Sequence, residues 1–166
     1  MYEKSIELLS KAIADELFAV HQYMYFHFLC DDMGYDLLAG LFKRTAIDEM
    51  MHVEKLAERI LFLKGEVEMK VVGEVEKIKD VAKMLEKAAK MEQESARDYN
   101  IWANEASGNA DSQTKQIFEG LVADEERHFD QYDTEADNLK RFGDRYLALQ
   151  SIERSKNLSA AGKPVE

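Results

Sequence analysis

Four glutamates and two histidines fall on the apolar faces of segments predicted to be helical, and this placement limits the folds open to the chain. Apolar residues recur at intervals of three and four through most of the sequence, which predicts helices. The only proline is Pro164, so no proline interrupts a helix before that point. Buried acids require partners, so we expect an all-α fold that gathers these side chains. The six residues are Glu16, Glu49, His52, Glu92, Glu125 and His128.

The spacing of these residues indicates how they meet. Glu49 and His52 form one Glu-x-x-His pair, and Glu125 and His128 form another. Residues three apart lie on the same face of a helix, so each pair can present a carboxylate and an imidazole to the same point. Glu16 and Glu92 add single carboxylates from two other helical segments. A glutamate from each of two helices and Glu-x-x-His from each of two more is typical of ferritin-like bundles that hold two metal ions.

The helical pattern predicts a four-helix bundle with a long crossover between helices 2 and 3 and a short fifth helix. Glycines and other turn residues separate the segments. The polar tail lacks apolar periodicity, so we expect one domain over residues 1–154 and a flexible tail over 155–166. The predicted helices run from about Glu3 to Asp32, from about Tyr35 to Lys64, from about Asp80 to Ser107, from a cap at Asp111 or Ser112 to Gly143, and from Asp144 to about Arg154, with the crossover from Gly65 to about Ile78.

Composition narrows the classes of partner and compartment. The chain has 166 residues and a formal net charge of -11, which disfavours nucleic-acid binding and favours attraction of cations. No apolar run is long enough to span a membrane. The N-terminal residues lack the apolar region of a signal peptide, and the single Cys30 cannot form an internal disulfide. We therefore expect a cytoplasmic protein that does not bind membranes.

Charge and ligand chemistry indicate which metal ions the six residues would bind. Four ionised glutamates balance two divalent cations. Carboxylate and imidazole ligands suit iron, manganese or zinc, whereas magnesium and calcium would not select histidine. Two Fe(II) ions held close together can supply the two electrons that reduce O2 to hydrogen peroxide.

Several runs of sequence resemble the signature segments of bacterioferritins. They are Asp15 to Tyr23, Ile47 to His52, Ala57 to Ile60 and Asp124 to His128. The resemblance extends from about Glu3 to Ile152. It implies iron storage and detoxification by a ferroxidase, in which Fe(II) is oxidised with O2 or H2O2 at a di-iron centre within each subunit. The ferric mineral is stored inside a 24-subunit shell. The resemblance also makes all six residues iron ligands, with Glu49 and Glu125 in the bridging positions.

Met50 lies outside the predicted core face, on a second apolar strip with Ile47. The first helix carries a matching strip that includes Phe28. A helix with two apolar faces needs a second partner, and a two-fold dimer would supply one. In bacterioferritins the residue that matches Met50 binds haem between two subunits, so the resemblance implies haem here. The alternative is that Met50 only fills the interface.

Tyr23 follows Glu16 by seven residues and projects towards the same centre. It is a candidate to hydrogen-bond a ligand or to give up an electron during oxidation. A core tyrosine with a satisfied hydroxyl explains its position equally well. Some bacterioferritins carry further aromatic residues at the positions of Leu56 and Gln131, and this chain does not.

Two other functions stay open from the sequence. A di-iron or di-manganese oxidase or peroxidase could use the same ligands without storing mineral. A haem-carrying or purely structural bundle could have incidental core acids. The first alternative predicts a small oligomer, and the second predicts that replacing Glu49 or Glu125 leaves iron oxidation unchanged.

Overall fold

The chain forms five helices in a computed structural model that describes residues 2–162. Four long helices pack as two antiparallel hairpins, α1 with α2 and α3 with α4. No strand occurs within the described range. The all-α four-helix bundle with a fifth helix is therefore confirmed. The helices are α1 (Glu3–Asp32), α2 (Asp36–Phe62), α3 (Val81–Gly108), α4 (Ser112–Phe142) and α5 (Asp144–Ala161).

The helix ends follow local chemistry. Between α1 and α2, Gly34 adopts a φ of 77°, which glycine tolerates without strain. The following amide, of Tyr35, donates to the carbonyl of Cys30 at 2.8 Å and closes the end of α1. Asp80 caps α3 by accepting from the Lys83 amide at 3.0 Å. Helix α4 is capped by Asp111, one of the two predicted residues.

Residues 63–80 form the long crossover between α2 and α3. It runs beside α1, because the Val72 amide donates to the Ala14 carbonyl at 3.3 Å. Further along, the Gln22 side chain exchanges two hydrogen bonds with the backbone of Glu76, at 2.8 and 3.0 Å. The crossover therefore returns along the length of α1, so α2 and α3 run in the same direction.

The core consists of two apolar clusters, one towards each end of the bundle. The first joins Phe26 of α1 and Phe42 of α2 to Tyr132 of α4, and the second joins Leu9 of α1 to Phe118 of α4. All six predicted polar residues are buried. Since they come from the middle of each long helix, the bundle has a polar layer between two apolar layers.

Helix α5 ends at Ala161, so the prediction that it ends near Arg154 is wrong. Residues 155–161 contain no helix breaker, and Arg154 anchors α5 to the α1–α2 turn through an ion pair of 3.3 Å with Asp36. The helix therefore continues to Ala161 despite its weak apolar periodicity. Part of the tail predicted as flexible is thus helical, and residues 163–166 lie outside the described range. No helix in this range is long and apolar enough to cross a membrane.

Candidate metal centre

The polar layer brings the six predicted side chains within reach of two metal ions. Their donor atoms form two groups, and the atoms in each group lie within 4.8 Å of one another. The first group is Glu16, Glu49, His52 and Glu125. The second is Glu49, Glu92, Glu125 and His128. Glu49 and Glu125 belong to both groups, which is the geometry that bridging ligands require.

Short contacts between unlike donors describe the centre more closely. In the first group, Nδ1 of His52 lies 2.8 Å from Oε2 of Glu49 and 3.2 Å from Oε1 of Glu16. In the second, Nδ1 of His128 lies 3.2 Å from Oε1 of Glu49 and 3.4 Å from Oε2 of Glu92. Both imidazoles therefore direct Nδ1 inward, where it can bind a metal.

Several buried atoms of the centre have no hydrogen-bond partner. They are both carboxylate oxygens of Glu49, Oε2 of Glu92, Oε1 of Glu125 and Nδ1 of His128. Buried polar atoms are normally satisfied, and an isolated buried charge is costly. Their convergence on one space fits two metal ions as the missing partners.

Protons stabilise the centre when no metal is bound. Burial, reinforced by the charge of Glu49, raises the pKa of Glu16 well above its ordinary value. The same two causes raise the pKa of Glu92. Burial and the charge of Glu16 raise the pKa of Glu125 well above its ordinary value. These raised pKa values favour the protonated form of the clustered acids when no metal is bound.

Glu49 behaves differently because it lies between the two histidines. Burial alone would raise its pKa, but the close imidazoles of His128 and His52 outweigh burial and lower it to about 2. Burial would lower the pKa of each histidine. Contact with Glu16 and Glu49 instead raises the pKa of His52 to about 10, and contact with Glu49 and Glu92 raises that of His128 to about 11.

The outer nitrogens of the histidines are held by two aspartates that the sequence analysis did not identify. Nε2 of His52 lies 3.0 Å from Asp124, and Nε2 of His128 lies 3.0 Å from Asp48. Each aspartate immediately precedes the glutamate of the other helix's pair. Such partners orient metal-binding imidazoles and raise their basicity. The repeated Asp-Glu-x-x-His pattern was the available sequence signal.

Two tyrosines complete the surroundings of the single glutamates. The hydroxyl of Tyr23 donates to Glu92, as one reading of the sequence predicted. The hydroxyl of Tyr99, which the sequence pattern did not single out, donates to Glu16. A seven-residue spacing between glutamate and tyrosine occurs on both α1 and α3 and could have revealed Tyr99.

A pocket between α1 and α3 connects the centre to acidic residues nearer the surface. It has a volume of about 160 Å³ and includes Tyr23 and the carboxylates of Glu49, Glu92 and Glu125 in its lining. Asp15, Glu94 and Asp98 also line it. Burial, with the charge of Asp98, raises the pKa of Asp15 to about 6. The lining is thus rich in carboxylates, which favours cations.

Met50 lies outside the metal centre and is 52% exposed. Ile47, three residues before it on α2, and Phe28 of α1 are exposed as well. The two other histidines lie outside the centre as well: His21 is exposed, and Nδ1 of His27 lies 2.8 Å from the carbonyl of Ala39.

Comparison with known proteins agrees with this arrangement. The family model described as "Ferritin-like domain" matches residues 6–142. A bacterioferritin of Desulfovibrio desulfuricans is 39% identical over 145 residues, which cover 87% of this chain and 81% of that protein. A bacterioferritin of Brucella melitensis is 35% identical over 149 residues, which cover 89% of this chain and 92% of the other.

Structural comparison gives the same relationship. The X-ray structure of the Desulfovibrio desulfuricans bacterioferritin superposes with a TM-score of 0.87 and 38% sequence identity. The match covers 89% of this chain and 86% of that one. That structure is described as showing a diiron site in different catalytic states.

Proposed function

Because the chain belongs to the bacterioferritins, within the ferritin-like family, we propose that it is an iron-storage ferroxidase. Family membership and the Glu/His cluster support a di-iron centre and a role in iron storage. The finer proposal is that this chain oxidises Fe(II) with O2 or H2O2 and stores the ferric product in a 24-subunit shell. The observation that carries it is the pair of four-residue groups that share Glu49 and Glu125.

In this proposal, Glu16 and His52 bind one Fe(II), while Glu92 and His128 bind the other. Glu49 and Glu125 bridge the two ions, which accounts for their place in both groups. The four carboxylates neutralise two divalent charges. Carboxylate with imidazole is a donor set that suits iron, manganese and zinc.

The chain's own groups then have distinct tasks in the reaction. Asp48 and Asp124 accept hydrogen bonds from the Nε2–H groups of the histidines, so Nδ1 is left free to bind metal. Tyr23 holds Glu92 by a hydrogen bond and is close enough to act as a proton or electron donor. Two Fe(II) substrate ions supply two electrons to O2, which takes up two protons and becomes hydrogen peroxide.

We assign substrate access to the pocket between α1 and α3. The carboxylates of Asp15, Glu94 and Asp98 attract Fe(II), and the pocket places them beside the carboxylates of the centre. The net charge of -11 would increase the local concentration of cations around the whole molecule.

The exposed apolar face argues for a two-fold dimer with haem. Phe28, Ile47 and Met50 are 62%, 46% and 52% exposed, and large apolar side chains left exposed on two neighbouring helices suit an interface between subunits. A second copy would cover this face, and two Met50 thioethers, one from each subunit, would bind the haem iron. Assembly of twelve such dimers would complete the shell, for which we propose a cytoplasmic location.

Iron retention tests the proposed function. Metal-free protein is given a large excess of Fe(II) in air and desalted, and the iron retained per chain is then counted. Hundreds of ions per chain are expected for a storage shell. Retention of about two would instead indicate a di-iron oxidase or peroxidase without a mineral store.

A matched pair of variants tests the role of the centre. Glu125→Ala removes a shared carboxylate, and Glu126→Ala removes an exposed acid one residue away. We expect Glu125→Ala to slow Fe(II) oxidation at least tenfold and Glu126→Ala to leave it unchanged. Equal rates in the two variants would refute the proposed centre and favour incidental core acids.

A further inference from the structure

Tyr99 and Tyr23 occupy equivalent positions on opposite sides of the metal centre. Each follows the single glutamate of its own helix by seven residues. Each donates its hydroxyl hydrogen bond to the single glutamate of the other helix. Both rings are fully buried or nearly so. A phenol in contact with a metal-binding carboxylate can pass an electron inward and a proton to that carboxylate.

The surroundings of the two tyrosines differ in one chemically important respect. The ring of Tyr23 contacts Phe42 and Tyr132, which are both fully buried. The ring of Tyr99 lies 5.6 Å from that of Trp102, measured between centroids. Trp102 is only partly buried. Tyr99 therefore contacts an easily oxidised side chain that reaches the surface.

Phe118 holds this pair in place. Its ring stacks on Tyr99 at 5.8 Å and meets the indole of Trp102 edge-on at the same distance. Packing of this kind fixes the separation of the two oxidisable rings.

We propose that Tyr99 and Trp102 carry an oxidising equivalent from the metal centre to the surface when the centre meets H2O2 with too few electrons. This inference rests on the proposed ferroxidase function. A centre that holds two Fe(II) ions supplies both electrons that cleave the O–O bond. A centre with a single Fe(II) supplies one electron. The half of the H2O2 molecule that is not reduced would otherwise leave as a hydroxyl radical.

The step balances with Tyr99 as the second donor. Fe(II), the Tyr99 phenol, H2O2 and one proton give Fe(III), the Tyr99 phenoxyl radical and two water molecules. Glu16 takes up the phenolic proton and passes it to the oxygen that leaves as water. Trp102 then transfers an electron and its indole proton to the phenoxyl, which restores Tyr99 and leaves a tryptophan radical. A one-electron reductant outside the protein, such as a thiol, donates a hydrogen atom to that radical at the surface.

Rapid-freeze electron paramagnetic resonance tests this route. One equivalent each of Zn(II) and Fe(II) per chain is loaded without oxygen, so that the redox-inert zinc keeps most Fe(II) ions single. One equivalent of H2O2 is then added. In the unaltered protein we expect a short-lived radical. In Trp102→Phe the tyrosyl radical should last several-fold longer, because its electron source is gone.

Tyr99→Phe keeps the aromatic ring and removes its hydroxyl group. We expect it to lose most of the tyrosyl signal and to release several-fold more hydroxyl radical to a spin trap. Tyr25→Phe, which alters a partly buried tyrosine outside the centre, should match the unaltered protein. Unchanged radical lifetime in Trp102→Phe would overturn the proposal, since a merely structural Tyr99 predicts that result.

The radical measurement does not depend on mineral storage. If the unaltered protein and all its variants form no radical but still retain hundreds of iron ions per chain, the relay alone is refuted. Failure to retain iron would refute storage and leave the radical measurement interpretable.

Discussion

Glu49 is the residue on which the charge balance of the centre depends. It lies between His52 and His128, and its pKa is lowered to about 2, whereas burial raises the pKa of Glu16, Glu92 and Glu125. Without metal, the centre therefore has one carboxylate between two protonated imidazoles. Metal binding must displace these protons.

This protonation predicts how the stability of the metal-free protein varies with pH. The histidine pKa values rise from 6.5 to about 10 and 11, so their stabilising contribution is complete below pH 6.5 and is lost as the pH rises towards 10. The raised glutamate pKa values act in the same direction. We expect the Tm to fall by several degrees between pH 6.5 and 9.

Thermal scans with and without Zn(II) check this prediction. Zinc replaces the protons, so it should raise the Tm and reduce its fall with pH. His128→Gln should also reduce the fall, and the exposed His21→Gln should not. A Tm that does not respond to Zn(II) or Fe(II) would contradict both the protonation scheme and the metal site.

The aspartates behind the histidines give a second prediction. Asp124→Asn removes the charge that lies 3.0 Å from Nε2 of His52, so that imidazole becomes a weaker donor. We expect Zn(II) affinity to fall about 10- to 100-fold in a competition titration. Asp130→Asn, on an exposed position of α4, is the control. Equal affinities in the two variants would show that Asp124 does not act through the histidine.

At the scale of elements, the start of α4 is tied to the end of α2. Asp111 caps α4 by accepting from the Thr114 amide at 3.1 Å, and it also accepts from Arg59 of α2 at 2.6 Å. Both side chains of this ion pair are largely removed from solvent. Breaking one partner of such a pair leaves an uncompensated charge.

Two capping aspartates allow a matched test. Asp111→Ala should lower the free energy of unfolding by about 2–4 kcal/mol, because it removes a cap and leaves Arg59 without its carboxylate. Asp80→Ala removes only the cap of α3 and should cost about 1 kcal/mol. Urea unfolding of the metal-free proteins measures both. Equal losses would mean that the Arg59 contact contributes nothing.

At the scale of the whole molecule, the exposed apolar face on α1 and α2 predicts self-association. We expect native mass spectrometry to give a particle near 24 times the mass of the 19.1 kDa chain. Met50→Leu should keep that mass and lose the haem absorption band. Met50→Lys places a charge on the apolar face, so it should reduce both assembly and haem binding.

A control of the same charge separates these effects from net charge. Asn100→Lys adds a lysine at an exposed position of α3, away from the apolar face, and should preserve the large particle. Haem binding that survives in Met50→Leu would contradict the assignment of Met50 as its ligand. A small particle in the unaltered protein would contradict the shell.

Within each helix, the sequence by itself determined which side chains face the core. Periodicity places Glu92 and Glu125 on the apolar faces and Glu94 and Glu126 off them, because the direction of a side chain on a helix depends only on its position along that helix. The same local rules predicted a cap at Asp111 or Ser112 and the long crossover. They placed all six candidate ligands in the buried layer without knowledge of the helix packing.

Only the tertiary structure decided which residues of different helices meet. Asp48 pairs with His128, Asp124 with His52, and Tyr99 with Glu16. These contacts depend on the axial offset between helices, which the crossover and the packing of the two apolar clusters set. The same holds for α5, whose length reflects its attachment to the α1–α2 turn. Local periodicity carries no information on such offsets, so it predicted the ligands but not the side chains that orient them.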